Sequence, residues 1–190
     1  MTGNKLVVCK NRLTGETREI PSDKLQFRPA AYGVIIKDGK VLLNTAWDGH
    51  DFPGGGIDKG ESIRDGLLRE VNEETGVSVD VGPLLYVGED FFIANFVEDT
   101  YFHSLVYYFL CTNPKGQLST AGFAAYEKDY MKGPVWVALD KLDALKFYNS
   151  IDSAALIRKA ASSDSYTVNV RTSMTSGLNI SNFSRNADTS

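Results

Sequence analysis

The feature that most restricts this chain is a run of three glycines, Gly54 to Gly56, leading into an acid-rich segment that reads as a helix. Glu61, Asp65, Glu70, Glu73 and Glu74 crowd into that segment, with Arg64 and Arg69 between them. Ile63, Leu67 and Val71 recur every fourth residue, with Leu68 beside them, and define one apolar face. The spacing predicts a helix from Ser62 to Gly76, where glycine suits the left-handed residue that ends a helix. Gly66 costs such a helix roughly 1 kcal/mol relative to alanine, which predicts a neighbour packed too closely for a side chain. A helix with one apolar stripe must bury it against another layer, so the rest of the chain has to supply one.

Glu70, Glu73 and Glu74 stand at i, i+3 and i+4, positions that share a helix face. The expectation is that their carboxylates point together, opposite Ile63, Leu67 and Val71. Left unneutralised they repel one another, which weakens the helix and raises their pKa values. A hard divalent cation removes the conflict. Mg²⁺ takes oxygen ligands, keeps several waters, and joins one or two carboxylates to substrate phosphates. Glycines let backbone approach a ligand closely, and a carbonyl near Gly55 is a further candidate ligand. Taken alone, an acid-and-arginine helix face is commonly a solvated surface and a glycine run merely a loop. The fixed spacing of the two is what points to a metal.

The remaining segments predict a sheet. Residues 5–20 read as two short strands around a Thr-Gly-Glu turn. Residues 30–47 read as a hairpin about Asp38-Gly39, a favoured pair for a tight primed turn. Strands are expected at 77–81, 84–88, 101–112 and 133–139, with 101–112 central because it is long, aromatic and β-branched. Residues 113–116 read as a turn, 138–145 as a short helix and 150–161 as a longer one. Strands interspersed with helices and joined partly by hairpins imply an α/β fold, a mixed sheet with helices on its faces. The expected divisions are an N-terminal hairpin extension (1–27), a catalytic-type domain (28–161) and a Ser/Thr/Asn-rich tail (162–190). Within the tail, residues 166–172 alternate apolar and polar, so an ordered arm and a disordered segment both remain open.

Composition excludes some partners. The 190 residues suit one domain, and a net charge of −4 gives no overall attraction to nucleic acid polymers or anionic membranes. No run approaches the roughly 18 apolar residues of a membrane helix, and the N-terminus lacks the apolar stretch of a signal peptide. Cys9 and Cys111 read as two small apolar strand residues rather than a disulfide or zinc framework. These readings place the chain in the cytoplasm. A homodimer is expected, because the first 28 residues and the tail both offer β-rich edges that can pair between chains.

Gly55, then five residues, Glu61, then seven residues, and Arg69-Glu70-Val71-Asn72-Glu73-Glu74-Thr75-Gly76-Val77 resemble the Nudix box at every fixed position. A chance match of this kind is on the order of 10⁻⁹ per window. Residues 28–160 around it also resemble that family. The resemblance implies a Nudix-type α/β/α sandwich and hydrolysis of a nucleoside diphosphate linked to another moiety, such as a nucleoside triphosphate or nucleotide sugar. It implies Mg²⁺ or Mn²⁺ held by Glu70, Glu73 and Glu74 with a carbonyl at Gly55, and Arg69 orienting the glutamates through Glu61 or Glu73. The alternative is a Nudix-like nucleotide-binding or regulatory module without turnover. The intact glutamates favour the enzyme.

Such a reaction needs a base, supplied by a box glutamate, Glu70 or Glu73, or by one from a later loop. Glu127 is the foremost outside candidate, ahead of Glu89 and Glu98. Arg28 is placed to meet a phosphate, Trp47 and His50 to touch substrate from the loop entering the glycines, and Phe91 or Phe92 to stack on a base. His103 reads as a strand residue. The branch mark of ADP-ribose enzymes, a proline about fifteen residues beyond the last box glycine, is replaced by Phe91. The tyrosine of diadenosine polyphosphate enzymes is likewise missing at Phe92 to Ala94.

Overall fold

The computed structural model describes residues 4–94, 99–125, 128 and 130–162. Its strands are β1 (Leu6–Asn11), β2 (Thr17–Pro21), β3 (Leu25–Phe27), β4 (Ala30–Lys37), β5 (Lys40–Ala46), β6 (Gly49–Asp51), β7 (Gly54–Gly56), β8 (Val77–Ile93), β9 (Tyr101–Gly116) and β10 (Met131–Ala138). Helix α1 spans Ile63–Thr75 and α2 spans Ser153–Ser162, with single 3-10 turns at Ser22–Lys24 and Leu139–Ala144.

The strands form one sheet in the order β10-β5-β4-β9-β8-β1-β2, and β3, β6 and β7 add short pairings to β9, β5 and β4. β9 runs parallel to β4 and antiparallel to β8, so the sheet is mixed as expected. β4 is buried on both faces. Ala30, Tyr32 and Val34 join Leu156, Ile157 and Ala160 of α2 in one core. Ala31 and Ile35 join Leu67 and Val71 of α1 in the other. The period-two alternation of one strand thus serves two helices, which makes the sandwich.

The local signals are realised. Asp38 and Gly39 turn the β4–β5 hairpin with φ of 50° and 70°, as a primed turn requires. Ser62 caps α1 by accepting from the Asp65 amide, and Gly76 ends it in the left-handed conformation. A Cβ on Gly66 would meet Ile57 at 2.6 Å and Glu61 at 2.7 Å, which accounts for a glycine in mid-helix. Leu67 and Val71 are fully buried, each contributing about 1.5–3 kcal/mol.

Three expectations change. The strands predicted at 77–81 and 84–88 are one strand, β8, which passes Gly82-Pro83 by irregularities in its register against β9. The turn predicted at 113–116 lies within the end of β9, where Asn113 and Gly116 take positive φ without ending the pairing. The short helix at 138–145 is a 3-10 turn. The hairpin of β1 and β2 continues the sheet, since Lys10 and Asn11 pair parallel with Phe92 and Ile93. Cys9, Ile20 and Ile93 bury together beneath it. Both cysteines are buried and unpaired. The tail segment 166–172 falls outside the described residues.

Candidate functional site

Arg69 organises the start of the site. Its Nε and Nη2 donate to the two oxygens of Glu61 at 2.9 and 3.0 Å, and Nη2 also reaches the Gly56 carbonyl at 3.0 Å. Nη1 donates to Glu70 Oε1 at 3.0 Å and to Glu73 Oε2 at 3.1 Å. One guanidinium therefore ties the loop before α1 to two glutamates on it, which a lysine's point charge could not do. The bonds to Glu61 first, then those to the other glutamates, hold the Arg69 pKa above the ordinary arginine range. Glu61 also accepts from the Asp58 amide at 3.1 Å, which ties it to the loop before α1.

Glu74 departs from the expected direction. It is buried, and its Oε2 accepts from the Gly54 amide at 2.8 Å and from Asn44 Nδ2 at 2.7 Å. At about 100° per residue Glu74 falls between Ile63 and Leu67 on the helix circumference, so it shares the core stripe instead of opposing it. Its polar partners are what make that burial tolerable. Glu73 is about half exposed, whereas Glu70 is mostly enclosed. Burial raises the Glu70 carboxyl above the usual range, with Arg69 and Arg28 opposing the shift and Glu73 adding to it. A Cβ on Gly55 would meet Glu70 Oε2 at 2.7 Å, so a side chain here would displace that carboxylate. Among the described residues no three Asp, Glu, His or Cys side chains converge as a ready-made metal cage. Glu70 and Glu73 meet at Arg69 while Glu74 turns inward.

A cavity of about 150 Å³ opens beside these groups, lined by Gly54, Gly55, Glu70 and Glu74 on one side. Of the expected substrate contacts, Arg28, Trp47 and Phe92 line it. The Arg28 guanidinium lies against Gly56 and 5.7 Å from the Phe102 ring. Trp47 stacks on Tyr130 with centroids 4.6 Å apart and takes a φ of 45°, an unusual conformation for so bulky a residue. Phe91 does not line the cavity. It points to the opposite face of β8, stacked on His103 at 4.4 Å. His103 pairs with Glu89 at 3.2 Å, and neither residue lines the cavity. His50 does not line it either, and its pKa is lowered by burial. Glu127 and Glu98 lie outside the described residues.

Several lining residues carried no usable signal in the sequence. Arg12, at the tip of the β1–β2 hairpin, reaches the cavity from outside the box region, pairs with Asp90, and lies 4.0 Å over the Phe92 ring. Asp51 on β6 accepts from Asn149 and from the Phe52 amide, and burial pushes its carboxyl up while Arg12 pulls it down. Asn44 on β5 lines the wall beside Glu74. Asn44 and Asp51 face each other across the local β5–β6 pairing, and long-range pairing of β1 with β8 brings Arg12 to them. No described helix is long and apolar enough to cross a membrane.

Comparison with known proteins agrees with this geometry. Residues 27–159 match the NUDIX domain. The chain is 42% identical over 64 residues to an RNA pyrophosphohydrolase of Sphingopyxis alaskensis, covering 30% of this chain and 40% of that protein. It is 36% identical over 77 residues to an ADP-ribose pyrophosphatase of Methanocaldococcus jannaschii, covering 37% and 46% respectively. The chain thus spans less than half the length of these curated relatives. In fold it is similar to the E. coli ORF135 protein (TM-score 0.51, 19% identity, 79% of this chain and 99% of that one). It is likewise similar to a MutT NUDIX hydrolase from Burkholderia pseudomallei (TM-score 0.51, 21% identity, 71% and 98%). Taken with the box residues gathered around Arg69, the match over residues 27–159 shows that this chain belongs to the Nudix family.

Proposed function

We propose that the chain is a divalent-metal-dependent pyrophosphohydrolase acting on a nucleoside diphosphate linked to another moiety. The observation that carries this reading is the joint placement of Glu70 and Glu73 on one Arg69 nitrogen beside the cavity-lining Gly54-Gly55 backbone. Two carboxylates held this close, one of them mostly enclosed, suit the mode in which Mg²⁺ takes one or two protein oxygens and substrate phosphates. Mn²⁺ accepts the same donors. Ligation by Glu74 would share its carboxylate with the Gly54 amide. Gly55 pairs with Ala31, midway between the bonds Gly33 N–H to Pro53 and Ile57 N–H to Pro29. That alternation turns Gly55's own peptide groups toward β4 and those of Gly54 away from it. A loop carbonyl ligand would therefore come from Gly54, one residue before the position suggested by the sequence.

When bound, the cation supplies charge neutralisation of the diphosphate and a water of lowered pKa. The chain's own groups supply the rest. Arg69 fixes Glu70 and Glu73 in register with the glycine loop, and Arg28 adds positive charge at the cavity wall. Glu73, about half exposed, is the proposed acceptor of a proton from water, and Glu127 is the alternative base. The substrate is a small nucleotide derivative; a role for the chain as a homodimer in the cytoplasm is part of the same proposal. The names of the curated relatives add ADP-ribose and RNA to nucleoside triphosphates and nucleotide sugars as compounds to try.

Phosphate or nucleotide release from that panel, with Mg²⁺ and with EDTA, tests the reading. Turnover should require metal and fall roughly 10²–10⁴-fold in Glu73→Gln. Nucleotide binding with no turnover on any compound would favour a binding or regulatory module instead.

A further inference from the structure

Arg12 lies outside the residues that match the family, 27–159, yet it lines the same cavity as Gly54, Glu70 and Glu74. Chemistry common to the family cannot depend on a residue outside the common domain. Whatever Arg12 does therefore lies outside the chemistry of the common domain.

Its surroundings define what it can bind. The Arg12 Nε is buried and has no hydrogen-bond partner among the described residues, and the same holds for Asn44 Oδ1. The orientation of the Asn44 amide is set by its Nδ2, which must face the Glu74 carboxylate. Two residues that line the cavity thus each carry a buried polar atom without a partner among the described residues, one a donor and one an acceptor. Each is costly to leave unmade. The guanidinium is also already compensated. Asp90 pairs with it directly, and Asp90 and Asp51 offset the cost of burying its charge. A phosphate arriving here would gain little from Arg12 and would meet two carboxylates. The planar guanidinium lies over Phe92, so it occupies the ring on which a base was expected to stack. Bases stack on arginine planes as they do on aromatic rings.

We propose that Arg12, with Asn44, binds the uncharged heteroaromatic base of the nucleotide and determines which base is accepted, while the phosphates are held elsewhere in the cavity. This rests on the nucleotide pyrophosphohydrolase reading above. Asp90 is a positioning residue in this arrangement, since it acts through Arg12.

The test is calorimetric binding in the presence of Mg²⁺, which needs no turnover. The probes are the monophosphates of adenosine, guanosine, cytidine and uridine, and imidodiphosphate, which has the phosphates without a base. The proteins are the wild type, Arg12→Lys, and a double variant Arg12→Gln with Asp90→Asn that leaves no unpaired charge. Thermal midpoints confirm that each is folded. The wild type should prefer one base. Both variants should bind that monophosphate about tenfold or more weakly and lose the preference. Imidodiphosphate should bind the variants within about twofold of wild type, because only the base contacts have been removed. An equal loss for imidodiphosphate would make Arg12 a phosphate anchor and overturn the proposal. So would an unchanged base preference in the variants, or a wild type that does not distinguish the four bases. Metal-dependent hydrolysis persisting alongside any of these results would leave the enzyme reading standing and remove only this inference.

Discussion

Two arginines serve one site, Arg12 lining its cavity and Arg69 standing behind the cavity-lining Glu70, and they are used in opposite ways. Arg69 spends its guanidinium entirely within the protein, on Glu61, Glu70, Glu73 and the Gly56 carbonyl. Arg12 has a single carboxylate, Asp90, and a ring beneath it, and keeps one nitrogen buried and unused among the described residues. A saturated arginine is a structural clamp that orders other groups. An unsaturated one in a cavity is available to something that arrives. The two share a residue type, and both their place relative to the cavity and the count of satisfied donors separate them.

The largest expected effect tests how far Arg12 also supports the fold. Arg12→Ala leaves Asp90 without its partner in a mostly buried position, and should cost about 3 kcal/mol in chemical denaturation. Adding Asp90→Ala should restore most of that loss. If the double variant is no more stable than the single one, the pair is not what holds the hairpin tip. Next comes Arg69→Lys, which keeps charge but cannot serve Glu61, Glu70 and Glu73 together. Activity on the best substrate should drop about 10–100-fold with kcat carrying the change. A drop confined to KM would mean that Arg69 binds substrate and that the contrast with Arg12 is false.

The smallest effect is a pH-dependent one. Burial raises the Glu70 carboxyl above the ordinary glutamate value of 4.5, against the pull of Arg69. The folded chain then holds this proton more tightly than the unfolded chain. Its contribution to stability is present at low pH and is lost as pH rises through the window above 4.5. A cation competes with that proton, so millimolar Mg²⁺ should raise the thermal midpoint more at about pH 8 than at about pH 5. The difference should shrink in Glu70→Gln. An equal shift at both pH values would place the cation away from Glu70.

Arg69 was legible in the sequence because everything it touches lies within one loop and one helix, at offsets that helical geometry fixes. The same geometry held information that the expected outward face of Glu74 passed over. Counting round the helix puts that residue among Ile63 and Leu67, and the structure buries it there. Phe91 and Phe92 show a different limit. Alternation along a strand sends the two rings to opposite faces, but which of them meets the cavity depends on the register of β8, and that strand is irregular upstream at Val81 to Tyr86. Arg12 lay beyond reach altogether. It meets Asp90 across a separation of 78 residues, through a parallel pairing of β1 with β8 that no local pattern announces.

That pairing is short. Lys10 and Asn11 against Phe92 and Ile93, with Cys9 and Ile20 tucked beneath, is the seam by which the first hairpin joins the larger sheet. A seam of this kind is a natural splice point. A different hairpin carrying a different tip residue could be stitched onto the same strand and retarget the pocket, with the acidic helix left untouched.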